Sequence, residues 1–286
     1  MTTDEAYEHC RRITRREARN FFYGFVLLPP ERRAGIYAAY AFSRRCDDSV
    51  DGDEGIEVKL DAVAQRRREL DACAEGRPDP DDAVLVALAD AMRRFEIPRR
   101  HLDALVDGVE MDLVRSRYAD WPSLRAYCDR VAGAVGLVSL HIFGFRDPRA
   151  PEYAEQLGVA LQLVNIMRDV EEDAGRDRIY LPAEEMAAFG VSEEQILARR
   201  SSVAFHDLMR AQGQRAHVYF ARGERLLPLL DRRARLCVAT MAGLYRGILA
   251  EIERSDYAVL DGRASLSTPH KLGVAGGALV RHSRRP

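Results

Sequence analysis

The sequence lacks the features that mark several protein classes. Its 5 cysteines form no Cys-x-x-Cys pair, so it shows no disulfide framework and no cysteine-bound metal. Its longest apolar runs, such as 132–145, are shorter than the roughly 18 residues that span a bilayer. Residues 1–16 alternate acids and bases, which excludes a signal peptide. We therefore expect a soluble, cytoplasmic protein.

An excess of either charge is also absent. The 43 Lys and Arg residues nearly balance the 45 Asp and Glu residues, and the net charge is -2. No bulk positive field exists to hold nucleic acid, so we expect no nucleic-acid partner. The 7 histidines show no metal-ligand spacing. Any anion must be bound by a local site.

Alternating β-branched runs are missing, and apolar residues recur at three and four positions instead. Leu157, Leu161, Val164 and Met167 are an example, and this spacing predicts helix. We expect about ten helices, joined by short connections without an interdomain linker. The prediction is an all-α bundle around a central space, formed by one domain over 1–286, with flexible ends at 1–19 and 273–286.

Three acids close an otherwise apolar helix in the first of two polar clusters. Tyr40, Arg44, Asp47 and Asp51 share one stripe at 100° per residue, and Asp48 lies beside them. Like charges one turn apart repel each other, and the helix dipole opposes acids at a C-terminus. Either a partner outside the helix compensates, or this is a solvated helix end.

The second cluster repeats the arrangement far along the chain. Gln162, Asn165, Asp169 and Asp173 fall on one helix face. Two such helices facing each other across a bundle would offer oxygen ligands that suit Mg²⁺, which is normally shared with substrate phosphates. The alternative is a set of surface salt bridges, which leaves the two amides unexplained.

The two clusters resemble the paired aspartate motifs of the squalene/phytoene synthase family, the head-to-head isoprenoid synthases. Three further segments match the family in the expected order: 27–33, 127–133 and 178–182. The resemblance covers about residues 20–272. It implies the isoprenoid-synthase helical bundle, with a central apolar cavity for prenyl chains.

The resemblance also implies roles for individual residues. The expected Mg²⁺ ligands are Asp47, Asp48, Asp51, Asn165, Asp169 and Asp173. The expected substrate-binding residues are Asn20, Arg44, Gln162, Asn165, Arg168, Arg178 and Tyr180. The expected catalytic residues are Tyr40, Arg44, Tyr127, Arg168 and Tyr245. Without the resemblance, buried tyrosines at helical spacing are more often packing residues.

Residues 108–113, 265–267 and 271–272 look most like bacterial presqualene diphosphate synthases. The expected reaction is therefore Mg²⁺-dependent condensation of two farnesyl diphosphates to presqualene diphosphate, in hopanoid or squalene synthesis. The alternatives are a phytoene synthase that uses two geranylgeranyl diphosphates and a squalene synthase that completes the NADPH-dependent reduction. A synthase that cyclises one chain is disfavoured by the motifs.

Two expectations concern partners. A non-catalytic helical assembly factor is the rival of another class, and the intact carboxylates argue against it. Residues 271–286 mix apolar and basic side chains, which predicts either a disordered tail or weak contact with the inner membrane face. If the product is presqualene diphosphate, separate pathway enzymes must consume it.

Overall fold

The predicted helical periodicity is realised along the chain, and the all-α prediction is confirmed. The computed structural model describes residues 1–18, 21–52, 54–260, 273, 274 and 277, with only the backbone of Tyr23. These residues form no strand, apart from an isolated parallel bridge between Arg117 and Ile179. The fourteen α-helices are α1 (Thr3–Glu17), α2 (Phe22–Phe25), α3 (Pro30–Asp48), α4 (Ile56–Ala74), α5 (Ala83–Arg94), α6 (Arg99–Val114), α7 (Trp121–Cys128), α8 (Ala134–Phe143), α9 (Ala150–Arg168), α10 (Val170–Gly175), α11 (Ala183–Phe189), α12 (Glu193–Leu197), α13 (Val203–Gly223) and α14 (Arg232–Arg254). A π-helical turn, Asp129–Gly133, joins α7 to α8, and a 3₁₀ helix, Glu224–Leu229, precedes α14.

Side-chain caps fix where several helices begin. The Asp120 side chain accepts a hydrogen bond from the backbone N–H of Ser123, and the backbone N–H of Asp120 donates in return to the Ser123 hydroxyl, which starts α7. Ser202 accepts from the backbone of Phe205 at α13. Each cap satisfies N–H groups that have no carbonyl partner inside the helix. There are more helices than predicted because the short α2, α10 and α12 carry too few residues for a periodic signal.

Helix α9 lies at the centre of the bundle, where α8, α13 and α14 pack around it. Its inward residues Leu163, Val164 and Met167 are fully buried. A Cβ at Gly136 of α8 would lie 2.7 Å from the carbonyl oxygen of Ala154. The glycine therefore lets α8 approach the backbone of α9 closely, as its unfavourable place within a helix predicted.

The N-terminal end differs from its prediction, and most of the C-terminal end lies outside the described residues. We predicted a flexible end at 1–19, but residues 3–17 form α1, which is capped by Thr2 and packs on α3 and α5. Asn20 and nearly all of 261–286 lie outside the described residues, so their predicted roles stay predictions. No helix among the described residues is long and apolar enough to cross a membrane.

Candidate active site

A cavity of about 320 Å³ opens between α3, α8 and α9. Most of its wall is apolar, with Leu102, Leu105, Val138 and Phe143 at its sides. The polar residues of the wall include Tyr40, Ser43, Asp47, Gln162 and Asn165. The cavity therefore joins two groups from the first cluster and two from the second to a space that suits a hydrocarbon chain.

The first cluster ends α3 and divides into an inner and an outer part. Asp47 lines the cavity, and burial raises its pKa to about 7; Arg44 opposes the rise, and Asp51 and Asp112 add to it. Outside, Arg44 bonds Asp48 at 2.5 Å and Asp51 at 3.2 Å. The Asp48 side chain is 58% exposed. The partner of the outer acids is thus Arg44 of the same helix, and not a group outside the helix as the sequence suggested. Among the described residues, Asp47 has no bonded cation in its half-buried position.

The sequence predicted that the second cluster lies on one helix, but the structure divides it between two helices. Helix α9 ends at Arg168, and Asp169, with φ -103° and ψ 11°, separates it from α10. Arg168 holds Asp169 with two hydrogen bonds, at 2.8 and 2.6 Å. Side chains of adjacent residues do not face each other in a regular helix. The break at Asp169 lets its carboxylate meet the guanidinium of the preceding residue.

Asp173 lies one turn further on, in α10. Burial raises its pKa to about 7, Asp169 and Glu172 add to the rise, and Arg178 and Arg176 oppose it. Each cluster therefore holds one carboxylate that is costly to ionise without a further cation. Such sites are where a bound metal or substrate charge is expected.

The amides of the second cluster face the cavity together. Asn165 donates from Nδ2 to Oε1 of Gln162 at 3.2 Å. The Oδ1 atom of Asn165 is buried and has no hydrogen-bond partner. A buried carbonyl oxygen without a partner costs about 1–3 kcal/mol, which binding of a cation or a donor would recover. Near these amides Tyr245 is buried and stacks on Phe21, with ring centroids 5.6 Å apart.

Asp112 of α6 belongs to the site, although the sequence analysis did not identify it as a site residue. It accepts hydrogen bonds from the hydroxyls of Tyr127, at 3.1 Å, and Tyr180, at 2.9 Å. Burial raises its pKa, and Tyr180, Arg178 and Tyr127 oppose the rise. Segment 105–113 carries three acids, of which Asp107 and Glu110 pair with Arg67, so no local pattern distinguished Asp112 from its neighbours.

Two predicted residues, Arg178 and Tyr180, reach Asp112 from the connection after α10. Arg178 donates to its backbone oxygen at 3.2 Å. The predicted tyrosines thus separate into two groups. Tyr40 lines the cavity, whereas Tyr127 and Tyr180 bond Asp112 beside it. The resemblance implied site roles for all of these tyrosines but did not divide them into two groups.

The polar residues of the two clusters, which we call the cavity mouth, fit a divalent cation bound together with a diphosphate. Within the described ranges, no three His, Cys, Asp or Glu side chains already converge to hold an ion, and Arg44 and Arg168 hold the carboxylates instead. The unpartnered Asn165 oxygen and the raised pKa values of Asp47 and Asp173 mark places where added positive charge would be favourable. Hard oxygen donors of this kind suit Mg²⁺ shared with phosphate groups.

Comparison with known proteins agrees with this geometry. A family profile described as squalene/phytoene synthase matches residues 14–270. The phytoene synthase of Mycobacterium tuberculosis is 43% identical over 284 residues, which cover 97% of this chain and 91% of that protein. The 15-cis-phytoene synthase of Synechocystis is 40% identical over 283 residues, covering 95% of this chain and 83% of that protein.

Solved structures share the architecture. A dehydrosqualene synthase superposes with a TM-score of 0.91 at 27% identity, covering 99% of this chain and 98% of the other. The squalene synthase HpnC from Alicyclobacillus acidocaldarius superposes with a TM-score of 0.84 at 29% identity, covering 89% and 95%. The first similarity, over 99% of the chain, takes in the site as well as the surrounding bundle.

Proposed function

The chain belongs to the squalene/phytoene synthase family, and on that premise we propose that it is a phytoene synthase. The reaction would join two geranylgeranyl diphosphates head to head and release diphosphate. Membership of this family makes the chain a prenyltransferase-type synthase. We therefore prefer an enzyme to the alternative of a non-catalytic helical assembly factor.

The choice of geranylgeranyl diphosphate as substrate is supported by the functions of relatives that share about two fifths of their residues with this chain. The mycobacterial and cyanobacterial proteins, at 43% and 40% identity, are both phytoene synthases, and so is a chloroplastic protein of Solanum lycopersicum at 38%. The farnesyl-based presqualene prediction rested on a few short segments and is replaced here by its alternative. The two reactions use the same head groups and differ in the length of the prenyl chains.

The polar residues at the cavity mouth would hold the diphosphates. Asp47, Asp51, Asp169, Asp173 and the Asn165 oxygen are the proposed ligands of Mg²⁺. Bound Mg²⁺ supplies positive charge that stabilises a leaving diphosphate. Asp48 is bonded to Arg44 at the exposed side, so we assign it a weaker part in binding than the sequence predicted.

The arginines and tyrosines complete this end of the site. Arg168 and Arg178 carry permanent charge beside the acids and would pair with diphosphate oxygens. Tyr127 and Tyr180 hold Asp112 in place through their hydroxyls. Tyr40 lines the cavity, and Tyr245 is buried behind it against the ring of Phe21. Burial raises the pKa of Tyr40 to about 12, so its hydroxyl stays protonated.

The apolar wall would protect the reacting carbons. Departure of diphosphate from an allylic substrate leaves a carbocation, which water would quench at once, so the surrounding space must be dry. Leu, Val and Phe side chains line the cavity. Holding two chains side by side makes capture of the cation by the second double bond effectively intramolecular.

A second candidate is the use of two farnesyl diphosphates. It is favoured by the dehydrosqualene synthase, which superposes with a TM-score of 0.91. At about 0.8 kcal/mol per buried carbon, five extra carbons offer about 4 kcal/mol of gross binding energy, enough to sort the two substrates. The deciding property is therefore the room available for the end of the chain.

A direct competition between substrates tests the proposal. Purified protein would receive geranylgeranyl and farnesyl diphosphates together with Mg²⁺, with and without NADPH, and products would be identified by mass spectrometry. We expect phytoene, formed equally well without NADPH. Presqualene diphosphate as the main product would overturn the proposal, and squalene formed only with NADPH would assign the chain to bifunctional squalene synthesis.

A further inference from the structure

The connection between α10 and α11 carries Arg178 and Tyr180, yet its first part is poorly buried. Residues 175–177 are exposed, and the Asp177 side chain is 77% exposed. Apolar packing therefore cannot fix the position of this stretch. A connection that carries two site residues needs some other source of order.

A neighbouring segment, 116–119, supplies part of that order through the backbone. Ile179 donates its N–H to the carbonyl of Ser116 at 2.9 Å, and Ala183 donates to that of Tyr118 at 2.9 Å. These bonds hold the connection at Ile179 and Ala183. The backbone bonds of residues 176–178 go instead to α10 itself: Arg176 and Arg178 donate to the carbonyl of Asp173, and Asp177 donates to that of Ala174.

Arg117 joins Asp177 to parts of the molecule other than α10. Its Nη1 donates to the carbonyl of Asp177 at 2.6 Å, and its Nη2 donates to the Asp177 carboxylate at 2.6 Å. Its Nε donates to the Glu193 carboxylate at 2.8 Å. All three nitrogens of the guanidinium are thus engaged, and the side chain is only 28% exposed.

The backbone at Asp177 makes this contact important. Asp177 has φ +54°, a left-handed conformation that is unfavourable for residues other than glycine, although aspartate tolerates it better than most. The next residue, Arg178, reaches the Asp112 carbonyl at 3.2 Å. A change of the Asp177 backbone would therefore move Arg178 away from the acids of the site.

We propose that Arg117 is a positioning residue, which fixes the connection so that Arg178 and Tyr180 meet the diphosphate of the substrate. The proposal rests on the proposed function, because it concerns the same diphosphate site. An isolated surface ion pair contributes little, but this guanidinium joins two carbonyls, those of Ser116 and Asp177, and two carboxylates in a fixed planar arrangement. Lysine cannot reproduce such an arrangement.

The test measures binding and local order rather than turnover alone. Arg117→Ala and Arg117→Lys would be compared with wild type for calorimetric binding of inorganic diphosphate in the presence of Mg²⁺. We expect at least tenfold weaker binding for the alanine variant and at least threefold weaker binding for the lysine variant. Amide hydrogen exchange at residues 176–180 should be at least tenfold faster in both variants.

Arg99→Ala is the matched control, because Arg99 also joins two carboxylates, Asp71 and Asp103, but at the other end of α6. It should bind diphosphate within twofold of wild type. Asp177→Gly keeps the left-handed backbone and the carbonyl acceptor, so its loss of binding should be smaller than that of Arg117→Ala.

Wild-type binding and exchange in Arg117→Lys would overturn the proposal, even if the alanine variant were unstable. Equal losses in Arg117→Ala and Arg99→Ala would also overturn it. Failure of the proposed function is distinct, because it would appear in the wild-type protein as a lack of phytoene, whereas diphosphate binding does not depend on the prenyl chain.

Discussion

The two carboxylate clusters have similar sequences but different structures. The first lies at the end of α3, which stops at Asp48, so that Asp51 follows the helix, and its arginine, Arg44, reaches outward to Asp48 and Asp51. The second spans a break between α9 and α10, and its arginine, Arg168, turns to the adjacent Asp169. The Arg44 side chain is 36% exposed, whereas that of Arg168 is 12% exposed.

The difference shows that two similar motifs can hold their acids in different environments. In each cluster one acid, Asp47 or Asp173, has its pKa raised to about 7. The remaining acids are paired with arginine, but in the first cluster the pair faces solvent and in the second it is mostly buried. Loss of a buried pair costs more than loss of an exposed one.

The largest expected effect is on catalysis. Asp47→Ala and Asp173→Ala should each lower kcat/KM by about 10³-fold, because each removes a ligand for the charge that stabilises the leaving diphosphate. Asp51→Ala and Asp169→Ala should also remove most turnover. Asp48→Ala should lose only about tenfold. Steady-state kinetics with Mg²⁺ held constant would measure this.

Asp61→Ala, on the exposed face of α4, is the control and should match wild type. Equal losses for Asp47→Ala and Asp48→Ala would show that the division into inner and outer acids is wrong. Wild-type activity in either Asp47→Ala or Asp173→Ala would contradict the assignment of the site.

The next effect compares the two arginines. Arg168→Lys should lower kcat/KM by about 10²-fold, because an ammonium group cannot make the two parallel bonds to Asp169. Arg44→Lys should lose less than about tenfold, since its contacts are more exposed. If both lysine variants lost activity equally, exposure would not explain how the clusters differ.

The smallest effect is on stability without metal. The folded-state pKa of Asp47 is about 7, above the unfolded value of about 4. Wild-type stability should therefore fall as pH rises from about 4 to 7. Asp47→Asn removes this penalty and, allowing for partial solvent screening, should stabilise the metal-free protein by about 1 kcal/mol at pH 8.

Asp169→Asn should have the opposite effect and destabilise by about 2–3 kcal/mol, because it leaves the Arg168 charge without its partner. Urea unfolding at pH 5 and pH 8 in the presence of a chelator would measure both variants. Destabilisation by Asp47→Asn at pH 8 would contradict the raised pKa.

Much of the site was predictable because local pattern and resemblance were sufficient. Tyr40, Asp47, Gln162 and Asn165 share a cavity wall, as the two stripes indicated. Asp112 was missed because it is one of four acids on α6, and only its contacts with Tyr127 and Tyr180 distinguish it. The helix break at Asp169 was missed because the spacing of polar residues is equally consistent with one helix.

The sequence by itself determined the longer helices and the two polar clusters. These depend on residues within a few positions of each other, whose interactions recur with the helical period. Tertiary structure alone decided which acids face the cavity, that Asp112 joins them, and that Arg117 reaches the connection beyond α10. These contacts join residues up to 68 positions apart, and burial and charge between such residues arise only when the helices pack together.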